Sequence, residues 1–283
     1  MTSAARDRIL EGVIDLHVHC GPDSLPRKVD AADVALLAKE RGMRGFVAKN
    51  HYEPTASLAY MARKAVPGLE IFGGVTLNLS VGGINPAAVE YMAKVAGGYG
   101  RFVWMGSFDT EAQVRYSRES RPFAAVSRDD QLLPETRAVI DVIARHQLIL
   151  STGHSTPEEV MLMVEEARRQ GVKHIVVTHA MIAPIHMQKA LMREAAARGA
   201  YIEFVYNGLI GPYKEFEFSD YAEAVDAVGA AQCVLSTDLG QVVNPQHADG
   251  MQLFIEGLCA QGVGQTEIDR MTKENPARLL DLK

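Results

Sequence analysis

Short runs of apolar residues rich in Val and Ile alternate along this chain with longer stretches whose apolar positions recur at helical spacing. The strand-type runs are Val13–Val18, Gly45–Lys49, Glu70–Leu77, Arg101–Met105, Gln147–Ser151, His174–Thr178, Tyr201–Tyr206 and Cys233–Thr237. Leu148-Ile149-Leu150 and Ile175-Val176-Val177 contain no polar position, as strands buried on both faces require. Helical patterns cover Ala31–Arg41, Thr55–Ala65, Pro86–Ala96, Pro134–His146, Pro157–Gln170, Met187–Arg198 and Tyr221–Val228. Pro in the first turn and Gly42, Gly171 or Gly199 just past the end punctuate several of them. Alternation at this spacing predicts right-handed crossovers and a parallel sheet.

Eight such units favour a closed TIM-like (β/α)8 barrel over an open doubly wound sheet, and no Gly-x-Gly-x-x-Gly follows an early strand. The expectation is a single-domain barrel over residues 1–283, with helical segments at Gln246–Ala260 and Gln265–Lys273 completing the last crossover. The longest irregular stretch, Asp109 to Gln131, carries Arg115, Arg118, Arg121 and Arg128 and reads as a solvated loop or a lid.

Composition narrows the class of partner. The net charge is −6, and Lys and Arg are not clustered, which argues against nucleic acid or an anionic membrane. No stretch approaches the roughly 20 apolar residues that span a bilayer. The polar start Met1–Arg8 lacks a signal-peptide core, and Cys20, Cys233 and Cys259 form no Cys-x-x-Cys pair. A cytoplasmic protein acting on a small molecule is the expectation, with homo-oligomers forming through the outer helices.

The chemistry gathers where strand-type runs end, in Asp15-Leu16-His17-Val18-His19, Ser151-Thr152-Gly153-His154, Val177-Thr178-His179 and Ser236-Thr237-Asp238. Parallel strands of a barrel bring such ends to one rim. His17 and His19, two apart on a strand, point to the same face. A lone strand-end His is more often a satisfied core or loop residue, and a lone Asp such as Asp238 could be only a helix N-cap. Four strand ends of this chemistry are harder to dismiss. Imidazoles with one carboxylate suit zinc, with iron, manganese or nickel as alternatives.

Asp15–His19, His154, His179 and Asp238, in order on the first, fifth, sixth and eighth strands, resemble the amidohydrolase superfamily of metal-dependent hydrolases. The tail Glu274-Asn275-Pro276-Ala277-Arg278-Leu279-Leu280 is similar to a common ending there. The resemblance implies one or two ions. His17, His19 and Asp238 would hold the first. His154 and His179 would hold the second, or His154 would join the first while His179 acts on substrate. The chain departs from the binuclear pattern at the fourth strand, Arg101–Gly106, which has no bridging Lys. Lys49, ending the second strand, could fill that gap as a carboxylated bridging ligand. It could equally clamp a substrate carboxylate or form a peripheral ion pair. His51, Asn78, Tyr206 and Asn207 stand at other strand ends as substrate contacts, with an exposed loop residue as the plainer reading of His51. The segment before the first strand is too short for the β-sandwich domain that larger members carry.

The implied reaction is hydrolysis of an amide, lactone, ester or amidine by metal-activated water, with Asp238 as proton carrier and His179 or a second ion at the developing oxyanion. Decarboxylation in the same barrel is the enzymatic alternative. A non-catalytic metal- or ligand-binding barrel is the alternative from another class.

Overall fold

In the computed structural model, which describes residues 8–283, continuous apolar runs become strands buried on both faces. They are β1 (Ile14–His19), β2 (Gly45–Lys49), β3 (Glu70–Thr76), β4 (Gly100–Trp104), β7 (Ile149–Ser151), β8 (His174–Val177), β9 (Tyr201–Val205) and β10 (Cys233–Ser236). A small antiparallel hairpin, β5 (Ser127–Arg128) and β6 (Gln131–Leu132), stands apart from them. The eight strands are hydrogen-bonded in the order β1-β2-β3-β4-β7-β8-β9-β10. The Asp238 and His19 amides, donating to His17 and Leu239 carbonyls at 2.8 Å each, bring β1 back against the end of β10. This is the strand order of a (β/α)8 barrel, as expected. The polar segment Met1–Asp7 lies outside the described residues.

Helices α1 (Ala31–Glu40), α2 (Ala56–Ala65), α3 (Pro86–Ala93), α4 (Glu111–Tyr116), α5 (Pro134–Arg145), α6 (Pro157–Arg169), α7 (Lys189–Ala197) and α8 (Phe218–Val228) alternate with the strands. After β10 come α9 (His247–Ala260), α10 (Gln265–Asp269) and α11 (Asn275–Leu279). Among the described residues, no helix is long and apolar enough to cross a membrane. The helix starts follow capping chemistry. Thr156 and Glu159 exchange side-chain and backbone hydrogen bonds across the first turn of α6, with Pro157 at the position where a missing N–H costs nothing.

Two segments differ from the sequence reading. The strand expected from Gln147 begins at Ile149, because Gln147 itself sits at φ 52° and cannot extend a strand. The stretch from Asp109 to Gln131 is not irregular throughout. It contains α4 and the β5–β6 hairpin, whose two-residue turn, Asp129-Asp130, takes positive φ at both positions. Arg121 ties its middle to Asp109 and to the Phe108 carbonyl, at 2.5 and 2.6 Å. That fastening ties the middle of the stretch back to its start.

By internal contacts the described residues form two compact units, 8–49 with Leu58–Phe72 and Phe204–Lys283, and Asn50–Ser57 with Gly73–Glu203. In the first, Asn275 donates to the Ala230 and Cys233 carbonyls at 2.9 and 2.8 Å, anchoring the C-terminal tail beneath β10. Also there, His247 opens α9 against the Phe46 ring, 5.9 Å between centroids, buried with neither ring nitrogen hydrogen-bonded among the described residues. Burial pushes its pKa down to about 4; Asp249 opposes the shift and Arg41 adds to it.

This histidine has a consequence for acid stability. An unfolded chain protonates His247 near pH 6.5, whereas the folded chain resists until about 4, so stability is lost as pH falls through that window. The depression corresponds to about 3 kcal/mol at its lower end. Urea midpoints of wild type and His247→Leu at pH 7.5 and 4.5 should therefore converge or cross at the lower pH. Parallel loss in both proteins would refute the assignment.

Candidate metal centre

Within the first unit, β1 and β2 run side by side with His19 paired to Lys49, after a register shift between Asp15 and Val18. The pairing sets the ends of both strands together, and the next residues beyond β10 complete the group. His17 Nε2 and His19 Nε2 each lie 3.0 Å from Asp238 Oδ1, and Lys49 Nζ lies 3.0 Å from His17 Nε2. All four side chains are buried. The His17, His19 and Asp238 ligand atoms lie within 4.8 Å of one another, close enough to share one ion.

Asp238 sits at φ 54°, a left-handed conformation that a non-glycine residue adopts at a cost. Its surroundings hold it there. The Asp238 amide donates to the His17 carbonyl, Gln241 Nε2 donates to the Asp238 carbonyl at 2.9 Å, and Asn207 Nδ2 reaches Oδ2 at 3.4 Å. Asn244 in turn donates to Asn207 Oδ1 at 3.0 Å. Asp15 fixes the strand ends from behind, accepting from the His17 and Thr237 amides at 3.1 and 3.0 Å.

Burial and hydrogen bonding together set the charges of this group. Burial opposes ionisation of Asp238, but the His17 charge and hydrogen bonds from both histidines outweigh it and hold the carboxyl well below the usual range. Burial pushes His19 down to about 3 despite the Asp238 hydrogen bond, with the Arg27 cation adding to the shift. The imidazole is therefore neutral, and because a guanidinium only donates, Nδ1 accepts from Arg27 and Nε2 carries the proton toward Asp238, a proton that an ion bound at Nε2 would displace. Burial raises Asp15 to about 7, against the pull of its Thr237 and His17 hydrogen bonds.

The second unit holds a different histidine group. His154 Nε2 and His179 Nε2 face each other at 3.1 Å, both rings buried. Gln113 Oε1 lies 2.7 Å from His154 Nδ1, and an amide oxygen only accepts, so Nδ1 carries the proton and Nε2 offers its lone pair. The His179 amide donates to Glu203 Oε2 at 3.0 Å, and His179 is held at φ 24°, again off the ordinary backbone map. His51 meets Ser107 Oγ through Nδ1 at 2.8 Å and stacks on Phe108, 4.1 Å between centroids. Asn78 spends its amide on the chain itself. Nδ2 donates to the His51 carbonyl and Ser107 Oγ, and Oδ1 accepts from the Ser107 and Asp109 amides.

The expected residues thus fall into separate groupings. His17, His19, Lys49, Asp238 and Asn207 gather in the first unit; His154 pairs with His179, and His51 with Asn78 through Ser107, in the second. Tyr206 goes elsewhere, its ring packed 5.6 Å from Phe254 and 6.4 Å from Phe218. Sequence reasoning missed Arg27, Gln241, Asn244, Gln113, Ser107 and Glu203. Glu203 alone carried a signal, as a carboxylate inside the buried strand Tyr201–Val205.

The fold is shared with known structures. An amidohydrolase from Pseudomonas aeruginosa superposes with a TM-score of 0.65 at 14% identity, over 99% of this chain and 98% of that one. A 2-pyrone-4,6-dicarboxylic acid hydrolase assigned in Pseudomonas putida gives 0.63 at 16% identity, over 95% and 97%. A 2,6-dihydroxybenzoate decarboxylase from Rhizobium gives 0.55 at 13% identity, over 96% and 99%. These neighbours belong to the amidohydrolase superfamily, and identities this low carry the likeness of fold and no more. No curated protein matches the sequence. Residues 12–203 match the profile of a family of unknown function, DUF6282.

Proposed function

The chain belongs to the DUF6282 family, and from that premise we propose that it is a metal-dependent hydrolase acting on a small molecule. One observation carries the reading: two imidazoles and a carboxylate, all buried, converge within 4.8 Å at the ends of adjoining strands. Barrel packing requires none of these residue types there, and burying them unpaired would be costly. Superfamily neighbours that include hydrolases, together with the strand order, support the same reading.

The donor set fits a borderline divalent ion such as zinc. His17 and His19 would hold it through Nε2 and Asp238 through Oδ1. When bound, such an ion polarises a carbonyl and lowers the pKa of water towards neutrality. Asp238 then has the position of the proton carrier, with Oδ2 facing Asn207 and able to take a proton while Oδ1 stays with the histidines. Lys49 would contribute a carboxylated bridging ligand or a substrate-carboxylate clamp. His154 and His179, with Nε2 atoms facing each other and Gln113 behind one ring, have the donor chemistry of a second two-histidine site.

Metal content per chain, measured by inductively coupled plasma mass spectrometry on protein purified without chelator, tests the proposal. One or two equivalents are expected, falling sharply in the His17→Ala, His19→Ala double variant. Wild type that takes up no metal even when supplemented would overturn it. Full metal content and activity in Lys49→Ala would remove the bridging role from that residue. The decarboxylase neighbour motivates one alternative: incorporation of 18O from labelled water marks hydrolysis, and carbon dioxide release without incorporation marks decarboxylation.

A further inference from the structure

Arg27, in the loop between β1 and α1, is buried to a degree that loop arginines seldom are. Its side chain is 6% exposed and that of its partner Asp23 is fully buried, with Nε donating to Asp23 Oδ2 at 2.6 Å. Nη2 lies 3.2 Å from His19 Nδ1, which places the guanidinium directly behind one of the histidines of the metal group. Among the described residues Nη1 donates to nothing, yet it is not sealed from solvent.

An arginine buried only to fasten a loop spends its donors on the protein, because an unspent buried N–H is costly. Here the loop is fastened by other means. The Lys28 amide donates to the Gly240 carbonyl at 2.9 Å, Gly21 to Val29 at 2.9 Å, and Lys28 Nζ to the Val242 carbonyl at 3.2 Å. Asp23 is also fully committed, since Oδ1 accepts from the Leu25 amide at 3.0 Å while Oδ2 takes Arg27 Nε. The loop walls an open cleft of about 500 Å³, bordered by Pro22, Ser24, Leu25 and Arg27. Asp30, also on that cleft, uses Oδ1 to cap α1. What remains is a planar donor held in place by Asp23, lining the cleft and touching His19, with Nη1 uncommitted among the described residues.

We propose that Arg27 binds an oxyanion of the substrate, which makes the substrate a small carboxylate. The inference rests on the reading of the His17, His19 and Asp238 group as the reaction centre, and it adds the substrate class. A guanidinium held through Nε and Nη2 still offers the Nη1 N–H groups and the second Nη2 N–H along its outer edge to two oxygens in one plane, geometry that a carboxylate or a phosphate meets and a neutral carbonyl does not.

Calorimetric titration of malonate, and separately of inorganic phosphate, into the protein with its metal complement measured in the same sample tests this. Saturable malonate binding is expected in wild type, weakened about tenfold or more in Arg27→Met. Arg27→Lys, which keeps the charge and the pairing with Asp23, should recover only part of the loss and serves if the Met variant fails to fold. Arg27-dependent binding of phosphate in preference to malonate would keep the oxyanion site and move its source to a phosphate ester. Equal binding to wild type and Arg27→Met, or no binding of either anion to metal-replete wild type, overturns the assignment. Protein that holds no metal yet binds malonate through Arg27 would overturn the functional reading while sustaining this one.

Discussion

Gly240→Ala is expected to cost about 4 kcal/mol of folding stability and to pull apart the His17, His19 and Asp238 group with it. Gly240 follows Asp238 by two residues and sits at φ +142°, where side chains are rarely tolerated. A Cβ placed there would lie 2.0 Å from the His19 carbonyl oxygen and 2.6 Å from its carbon. Neither atom can rotate away, so the added methyl must push apart the strand ends that carry His19 and Asp238. The Lys28 amide, which donates to the Gly240 carbonyl, would be displaced as well. Gly171→Ala provides the comparison, for it has φ +81° and nothing within 4 Å of the added carbon. That variant should lose only about 1 kcal/mol, from backbone conformation alone. Urea midpoints of the two proteins separate steric from conformational cost. Equal midpoints would show that β1 and the end of β10 are not in the close approach described here.

What the sequence makes legible follows from what a parallel barrel does to strand ends. Two His residues spaced for one strand face, and an Asp just past a run on the last strand, need only the strand order to meet, and His17, His19 and Asp238 do meet. Strand ends were harder to place, because Gln147 and Asp238 take positive φ at positions where the apolar pattern gives no warning. The residues that orient the group were largely invisible. Arg27 lies in Leu25-Pro26-Arg27-Lys28, where nothing in spacing or composition says that its guanidinium is buried behind His19. Asn244 and Gln241 are ordinary loop residues until the fold brings them to Asn207 and to the Asp238 carbonyl. Conversely, Asn78 and Tyr206 occupy strand ends, where substrate contacts are expected, yet one braces neighbouring backbone and the other packs among aromatic rings. Position along the barrel was readable; side-chain commitments, which depend on contacts distant in sequence, were not.

Asp238→Asn should abolish both metal retention and turnover while leaving the protein folded. The substitution keeps the volume of a buried side chain and an oxygen for one neighbour, so packing against Asn207 and Leu239 survives. It removes the negative charge that lies 3.0 Å from both imidazole nitrogens. Loss of a hydrogen-bonding partner behind a metal ligand already costs roughly 10- to 100-fold in affinity, so loss of the sole carboxylate in the group should exceed about 100-fold. Asn207→Ala, which removes the 3.4 Å contact to Oδ2 and the Asn244 bond behind it but no charge, belongs in that milder range, about 10-fold. Competition against a chromophoric chelator gives both affinities, and circular dichroism confirms the fold. The ordering is the test, since a carboxylate that binds the ion must matter far more than the amide that steadies it. Asp238→Asn protein with wild-type zinc affinity would remove Asp238 from the metal group. Loss in Asn207→Ala as large as in Asp238→Asn would instead mean that the contact with Asn207, and not the carboxylate charge, governs binding.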